Sequence, residues 1–152
     1  MIPIKFTYKS IEDKCASICK KINKSKYKVD YIVGVSVGGL FPAIHFARLL
    51  NTKNLVSISI CSYDGKTRKE IKVVNLPDKK LFKNKNVLIV DDILDSGATI
   101  KYITKLFKEE YFAKEVKCAT IFVNKKNCMF YPDYYQEEVG KWVAFPWDRF
   151  EK

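Results

Sequence analysis

The sequence has little of what metal and disulfide frameworks need. Its 152 residues include one histidine and five cysteines, and no two cysteines form a C-x-x-C pair. An odd number of cysteines in a chain without an export signal is typical of reduced, mostly buried thiols. We therefore expect neither disulfide bonds nor a zinc site among Cys15, Cys19, Cys61, Cys118 and Cys128.

Long apolar runs are missing as well. No stretch approaches the roughly 20 apolar residues of a membrane-spanning helix. The first residues, Met1 to Phe6, lack the charged-then-apolar pattern of a signal peptide. There are no internal repeats or low-complexity linkers. The sequence thus predicts a single domain over residues 1–152, located in the cytoplasm and without a transmembrane segment.

Acidic residues are outnumbered by basic ones. The chain has 28 lysines and arginines against 17 aspartates and glutamates, which gives a formal net charge of +11. Such a charge fits a nucleic-acid binder. The lysines are scattered over turns and predicted helix faces, however, without the interleaved aromatic motif of an RNA-binding sheet. We expect no nucleic-acid partner, although the charge would attract small anionic substrates.

What the sequence does contain is an alternation of two kinds of segment. Aliphatic runs typical of buried strands cover residues 31–35, 55–60, 87–90 and 116–123, and apolar residues at helical spacing begin at Ser10, Leu40 and Thr99. This alternation predicts an α/β fold with a parallel, doubly wound sheet flanked by helices. Residues 62–72 follow neither period, which predicts a mobile loop, and residues 128–152 are predicted to be irregular.

The third predicted strand leads into the most informative segment, Val87 to Thr99. It delivers Asp91 and Asp92 at its carboxyl end, the edge at which open α/β sheets bind ligands. The free N–H groups of the following small-residue turn, Ser96-Gly97-Ala98-Thr99, would bind phosphate at the start of a helix. Paired carboxylates beside a phosphate site suit a hydroxyl-rich, metal-bound sugar phosphate.

Val90 to Thr99 resembles the signature by which type I phosphoribosyltransferases bind phosphoribosyl pyrophosphate. Three further blocks occur in the order of the family's xanthine-guanine branch: Val35-Ser36-Val37-Gly38-Gly39-Leu40, Cys61-Ser62-Tyr63-Asp64 leading to Glu70-Ile71-Lys72-Val73, and Trp142-Val143-Ala144-Phe145-Pro146-Trp147-Asp148. Together the blocks span roughly residues 30 to 148. The resemblance implies the family's sheet fold with a flexible hood loop over residues 62–74.

The resemblance also implies roles for the signature residues. Asp91 and Asp92 would hold the ribose hydroxyls and Mg²⁺, and Asp95 would bind substrate and act as general acid or base beside the imidazole ring of the purine. Asp95 could instead cap the helix that begins near Gly97, and both roles are compatible. The 5′-phosphate would be wrapped by Ser96, Gly97, Ala98 and Thr99.

The first block resembles the family's pyrophosphate-binding loop. Its amides, from Ser36, Val37, Gly38 and Gly39, would face the leaving group, with a cis peptide expected near Ser36–Val37. Relatives usually carry arginine or lysine where this chain has Val37, so one cation is lost. Basic hood residues, among them Arg68 and Lys69, would then neutralise more of the pyrophosphate charge. The alternative for the hood is an ordinary charged hairpin tip.

Residues 34–38 also match the G-x-S-x-G elbow of serine hydrolases. That mechanism requires a histidine that follows the nucleophile and an acid in the chain. The single histidine, His45, lies too close to Ser36 and in the wrong order. We therefore interpret His45 as a packing or surface residue.

The purine pocket is implied within residues 124–148. Lys125 would donate to the six-position oxygen of the base, but strict alignment places Asn124 there, and the contact stays open between Asn124, Lys125 and Lys126. Trp142 would stack on the base, and Val143 would offer backbone groups to its far edge. Without the surrounding resemblance, Trp142 would be interpreted as a core residue.

The implied activity is Mg²⁺-dependent transfer of a phosphoribosyl group from phosphoribosyl pyrophosphate to guanine, xanthine or hypoxanthine, with release of pyrophosphate, in purine salvage. Mg²⁺ is the one cofactor expected, and relatives are homodimers or homotetramers. One alternative is a non-catalytic regulator that senses phosphoribosyl pyrophosphate and binds nucleic acid through its basic surface, which Val37 and the +11 charge favour. Another is a transferase for a pyrimidine or other base.

Overall fold

A computed structural model describes residues 2–64 and 69–148, with side chains over residues 2–61 and 70–148. The helices are α1 (Tyr8–Lys24), α2 (Leu40–Leu49) and α3 (Ala98–Glu109), with a 3₁₀ turn at Lys79–Leu81. The strands are β1 (Ile4–Lys5), β2 (Tyr31–Ser36), β3 (Leu55–Asp64), β4 (Lys69–Asn75), β5 (Asn86–Leu94), β6 (Glu115–Asn124), β7 (Tyr134–Val139) and β8 (Val143–Ala144). Within these ranges, no helix has the length and apolar character needed to span a membrane.

Six strands form one sheet in the order β4-β3-β2-β5-β6-β7. Neighbouring strands run parallel except β4, which pairs antiparallel with β3 at one edge. β5, which carries the acidic segment, lies centrally between β2 and β6. β1 and β8 form a separate parallel pair that ties the start of the chain to residues 143–144. The predicted parallel α/β sheet is confirmed, with one antiparallel edge strand added.

Helices cover both faces of the sheet, as a doubly wound fold requires. On one face α1 and α2 pack in a core that includes Ile11, Phe46 and Leu88. On the other face α3 packs in a second core that includes Phe107 and Ile89. Because consecutive strand residues point to opposite faces, Leu88 and Ile89 enter different cores. The continuous apolar runs of β5 and β6 follow from this burial on both faces.

Two predicted irregular segments contain strand residues. Of the predicted loop over residues 62–72, residues 62–64 belong to β3 and residues 69–72 belong to β4, whereas residues 65–68 lie outside the described residues. Antiparallel pairing with β3 organises the polar sequence of β4. The predicted irregular region after residue 128 contributes the edge strand β7 and the short strand β8.

Two element boundaries also differ from the prediction. The first helix begins at Tyr8 instead of Ser10, because Thr7 is its N-cap and accepts a hydrogen bond from the Ser10 N–H at 3.1 Å. The third predicted strand continues beyond Val90 to Leu94. The acidic pair at residues 91–92 consequently belongs to the last part of β5, where backbone pairing with β6 still fixes it.

Candidate active site

Two clefts meet at the carboxyl end of β5. The first, here called the loop cleft, has a volume of about 190 Å³ and is lined by Ile71, Asp91 and residues 93–100. The second, called the tryptophan cleft, has a volume of about 370 Å³ and is lined by Asp92, Ile93, Asp95, Asn124, Lys141, Trp142, Val143, Phe145 and Asp148. Asp95 and Ile93 line both clefts. One elongated ligand could therefore occupy both and pass Asp95 at the junction.

The neighbouring acids Asp91 and Asp92 divide between the two clefts. Asp91 lines the loop cleft and Asp92 lines the tryptophan cleft, because successive residues of a strand alternate in direction. Each carboxylate accepts a hydrogen bond from the next backbone N–H, Asp91 Oδ1 from Asp92 at 2.9 Å and Asp92 Oδ1 from Ile93 at 2.7 Å. These bonds hold both side chains close to the backbone of β5.

Burial and mutual repulsion oppose ionisation of this pair. Burial raises the pKa of Asp91 well above its ordinary value, and the nearby charge of Asp92 raises it further. Burial also raises the pKa of Asp92 to about 6, with a smaller upward contribution from the charge of Asp148. A cation bound near either carboxylate would relieve this repulsion. The pair is therefore electrostatically suited to a cation.

The donor set fits Mg²⁺ bound together with a ligand. Mg²⁺ usually takes one or two protein carboxylates and completes its shell with water and substrate phosphates. Asp91 and Asp92 supply those carboxylates, and no group of three acidic, cysteine or histidine ligands occurs in the described part of the chain. A closed metal cage is therefore not formed by residues 2–64 and 69–148, whereas a shared, open magnesium site is compatible with them.

Asp95 is exposed and is held by two asparagine side chains. Its Oδ1 accepts hydrogen bonds from Asn124 Nδ2 at 2.8 Å and from Asn127 Nδ2 at 2.9 Å. The N-cap of α3 is Gly97, so the capping role considered for Asp95 is not the arrangement found. Asp95 thus stands at the junction of the clefts with its carboxylate fixed from the side of the β6–β7 connection.

The turn before α3 has the backbone geometry expected of an anion-binding loop. Gly97 has φ +90°, and a Cβ at this position would lie 2.5 Å from the Phe130 ring, so glycine is required both by conformation and by space. Ser96 Oγ accepts a hydrogen bond from the Ala98 N–H at 3.2 Å. The Ala98 amide is therefore engaged within the turn, which leaves the amides of Thr99 and Ile100 as donors at the helix start.

The Ser36–Gly39 loop packs directly against the acidic pair. A Cβ on Gly38 would lie 1.9 Å from Asp92 Oδ2, and one on Gly39 would lie 2.5 Å from the Val90 carbonyl oxygen. The Ser36–Val37 peptide is cis, as expected. The Gly39 N–H donates to the Val35 carbonyl at 2.8 Å, so this amide, predicted to face the leaving group, is already engaged within the loop. Val37, by contrast, is 81% exposed.

The hood residues predicted to neutralise pyrophosphate lie largely outside the described residues. This applies to Arg68 and to the side chain of Lys69, whose backbone belongs to β4. The side chains of Ser62 and Tyr63, which belong to the same block but carry no charge, also lie outside the described residues. Within the described part of β4, Ile71 lines the loop cleft. β4 therefore reaches the turn before α3.

The residues predicted to bind a base separate into two groups. Trp142 and Val143 line the tryptophan cleft; Trp142 is 73% exposed, so it is not a core residue, and Val143 is buried. Lys125 is not among the residues that line the cleft, and its Cε would lie 3.6 Å from a Cβ on Gly140. Of the three residues left open for this contact, Asn124 lines the cleft.

Sequence reasoning missed three polar residues of the site: Asn127, Lys141 and Asp148. Asp148 ends a block already singled out by the resemblance, and Lys141 precedes Trp142, so position alone could have suggested both. Asn127 gave no such signal, because only the turn after β6 brings its amide to Asp95.

Comparisons with known proteins agree with this geometry. The sequence model of the family described as "Phosphoribosyl transferase domain" matches residues 7–150. Xanthine-guanine phosphoribosyltransferases from Cereibacter sphaeroides and Gluconobacter oxydans are 32% and 35% identical to the chain, over 77% of its length in both cases and over 68% and 67% of theirs. The crystal structure of a purine phosphoribosyltransferase from Pyrococcus horikoshii superimposes with a TM-score of 0.87 at 30% identity, covering 100% of this chain and 97% of that one.

Proposed function

Because the chain belongs to the phosphoribosyltransferase family and is a purine phosphoribosyltransferase, we propose that it transfers the phosphoribosyl group of phosphoribosyl pyrophosphate to a six-oxo purine. The products would be the nucleoside monophosphate and pyrophosphate. Guanine, xanthine and hypoxanthine are the proposed acceptors, and purine salvage is the proposed role. A cytoplasmic location and assembly as a homodimer or homotetramer stay predictions from the sequence.

One observation carries the proposal: Asp95 lies where the loop cleft and the tryptophan cleft meet. A nucleotide has a phosphate at one end, a base at the other and the reacting glycosidic bond between them. The start of α3 would hold the 5′-phosphate through backbone amides, and Trp142 would stack on the base. Asp95 would then stand beside the imidazole ring and accept or return a proton there.

The acidic pair would hold the sugar. Asp91 and Asp92 would accept hydrogen bonds from the ribose hydroxyls and would supply carboxylate ligands to Mg²⁺. Bound Mg²⁺ would neutralise negative charge on the pyrophosphate group as it leaves. The amides of Val37 and Gly38 would contact the same group, and this loop already touches Asp92 through Gly38. Positioning and electrostatics would supply most of the catalysis.

The tryptophan cleft offers both kinds of partner that a six-oxo purine needs. The Asn124 amide and the Lys141 ammonium can donate to the base oxygen, and the carboxylates of Asp95 and Asp148 can accept from its N–H groups. Trp142 supplies an exposed aromatic face. Lys125, the residue proposed from the sequence, would need to turn from its place beside Gly140 to reach the base.

The test is pyrophosphate release by purified protein given phosphoribosyl pyrophosphate, Mg²⁺ and one base at a time: guanine, xanthine, hypoxanthine, adenine or uracil. We expect release with six-oxo purines and its loss when EDTA removes the metal. Asp13→Asn, on the exposed face of α1, serves as a charge-matched control for Asp95→Asn. The control should retain the wild-type rate.

Other outcomes would redirect the proposal in defined ways. Release with uracil alone would favour the pyrimidine alternative. Binding of phosphoribosyl pyrophosphate without turnover on any base would contradict the transferase proposal and favour the regulator. Full activity in EDTA would contradict the magnesium requirement while leaving the transfer reaction intact.

A further inference from the structure

We propose that Asn124 and Asn127 form a two-amide clamp that positions Asp95 for proton transfer to and from the base, and that Asn127 is a positioning residue of the enzyme. The inference rests on the proposed function, because it assigns a task to the same carboxylate. It adds a residue outside both clefts, since Asn127 lines neither of them.

The two amides converge on a single oxygen of the carboxylate. Asn124 Nδ2 and Asn127 Nδ2 donate to Asp95 Oδ1 at 2.8 and 2.9 Å. Two donors on one oxygen fix both the position and the rotation of the carboxylate, and they leave Oδ2 as the oxygen available to a base. An exposed aspartate on a turn would otherwise sample several rotamers. The clamp therefore holds Asp95 in one rotamer before proton transfer.

The orientation of the Asn124 carboxamide is fixed from its other end. Its Oδ1 accepts a hydrogen bond from the Lys126 N–H at 3.2 Å. A flipped amide would place an oxygen against the Asp95 carboxylate and would lose this bond. The Asn124 carbonyl also accepts from the Asn127 N–H at 3.1 Å, a turn that brings the Asn127 side chain back toward Asp95.

The same connection is attached to the turn before α3. The Met129 N–H donates to the Ser96 carbonyl at 3.1 Å, and the Phe130 ring occupies the space beside Gly97. Residues 124–130 thus contact Asp95 on one side and the anion-binding turn on the other. This double attachment makes the donors part of a fixed frame, so displacing one amide would move Asp95 relative to a bound nucleotide.

The test uses Asn127→Ala, because Asn127 touches Asp95 without lining the base site. We expect kcat to fall about 10- to 100-fold, the scale on which small misplacements of reacting groups act, while the KM for phosphoribosyl pyrophosphate and the Tm stay close to wild type. Asn23→Ala, an exposed asparagine on the last turn of α1, is the matched control and should leave kcat unchanged.

A double-mutant cycle with Asp95→Asn separates positioning from a general structural role. If Asn127 acts through Asp95, Asn127→Ala should cost less than about twofold in the Asp95→Asn background. Equal losses in both backgrounds, or a loss confined to KM with a lowered Tm, would overturn the clamp. If the wild-type protein turns over and Asn127→Ala has the same kcat, the clamp is overturned while the proposed function stands. If the wild-type protein does not turn over, the proposed function is overturned and the clamp with it.

Discussion

The acidic residues at the two ends of the segment 91–95 have opposite environments. Asp91 and Asp92 lie within β5, where burial raises the pKa of both. Asp95, three residues further along, is exposed and accepts two amide hydrogen bonds through one oxygen. The charged form of aspartate is therefore disfavoured at positions 91 and 92, whereas at position 95 the carboxylate is exposed and fixed by hydrogen bonds.

This contrast indicates a division of labour. A half-buried acidic pair destabilises the free protein until a cation or hydroxyl groups compensate for its charge. Binding of a metal-bound sugar phosphate would relieve this unfavourable electrostatic energy and would thereby be favoured. A positioned, accessible carboxylate gains nothing from such compensation but can exchange a proton quickly. We expect substitutions in the two places to fail in different ways, and the following predictions test that expectation.

The largest effect is expected at Asp95. In Asp95→Asn the amide can keep the size of the side chain but cannot accept and return a proton, so kcat should fall about 10²- to 10⁴-fold. The KM for phosphoribosyl pyrophosphate should stay within about threefold of wild type, because the loss is confined to the transition state. Steady-state pyrophosphate release measures both quantities. If the variant lost substrate binding in parallel with kcat, the proposed division between substrate binding at Asp91 and Asp92 and proton transfer at Asp95 would be wrong.

Asp92→Asn, in contrast, should act on stability and should make the folded protein more stable. The raised pKa of Asp92, about 6, means that the folded state holds a proton between about pH 4 and pH 6 that the unfolded state releases. Wild-type stability should consequently fall as pH rises through this window. The uncharged variant should be about 1–3 kcal/mol more stable than wild type at pH 7.5, and the difference should vanish below pH 4.

Urea unfolding at pH 3.5, 5 and 7.5 checks this prediction, and binding of phosphoribosyl pyrophosphate with Mg²⁺ should weaken in the same variant. Asp13→Asn is the control, because Asp13 is exposed and paired with Lys9 at 2.7 Å. Its removal should leave the free energy of unfolding unchanged, because a fully exposed ion pair contributes little. An Asp92→Asn protein that is less stable than wild type at pH 7.5 would contradict the electrostatic account.

A smaller effect of the same sign is expected at Asp148. Its charge contributes to the raised pKa of Asp92, and its own Oδ2 accepts a hydrogen bond from the Phe145 N–H at 2.9 Å. In Asp148→Asn an amide oxygen can still accept that bond while the charge is lost. We expect a gain of less than about 1 kcal/mol at pH 7.5, absent in the Asp92→Asn background. An undiminished gain there would show that the two groups are not coupled.

Much of this arrangement is predictable from the sequence, because it depends on short-range patterns. The apolar runs of β5 and β6 and the small-residue turn at residues 96–99 fix the sheet and the start of α3. The glycine at position 97 is typical of a turn residue with positive φ, and its φ is +90°. Such features involve neighbours in the chain, so residue type and spacing carry the information.

The remainder depends on contacts between distant segments. Asn127 reaches Asp95 across 32 positions of the chain, and nothing local distinguishes it from the other asparagines. The polar residues of β4 gain regular structure only from pairing with β3, a contact that local sequence periodicity does not predict. The split of the acidic pair between two clefts likewise depends on the continuation of β5 to Leu94, which the apolar run ending at Val90 does not predict.

The smallest effect is expected from restoring a cation beside the acidic pair, in Val37→Lys. Val37 is 81% exposed, so the substitution should cost little stability. The new ammonium would stand next to Gly38, which abuts Asp92, and would attract both the carboxylates and pyrophosphate. We expect the KM for phosphoribosyl pyrophosphate to fall about two- to fivefold at low salt. The gain should shrink at 0.5 M salt because exposed charges are screened.

Val37→Gln is the matched neutral control and should leave the KM unchanged, since it adds length and polarity without charge. An equal improvement in both variants would mean that contact area matters in this loop and charge does not. No improvement in Val37→Lys at any salt concentration would mean that the cations already present satisfy the leaving group. The acidic pair would then be compensated by Mg²⁺ and the hood alone. The contrast would sharpen, because Asp92 would depend on a bound cation whereas Asp95 depends on the amides of Asn124 and Asn127.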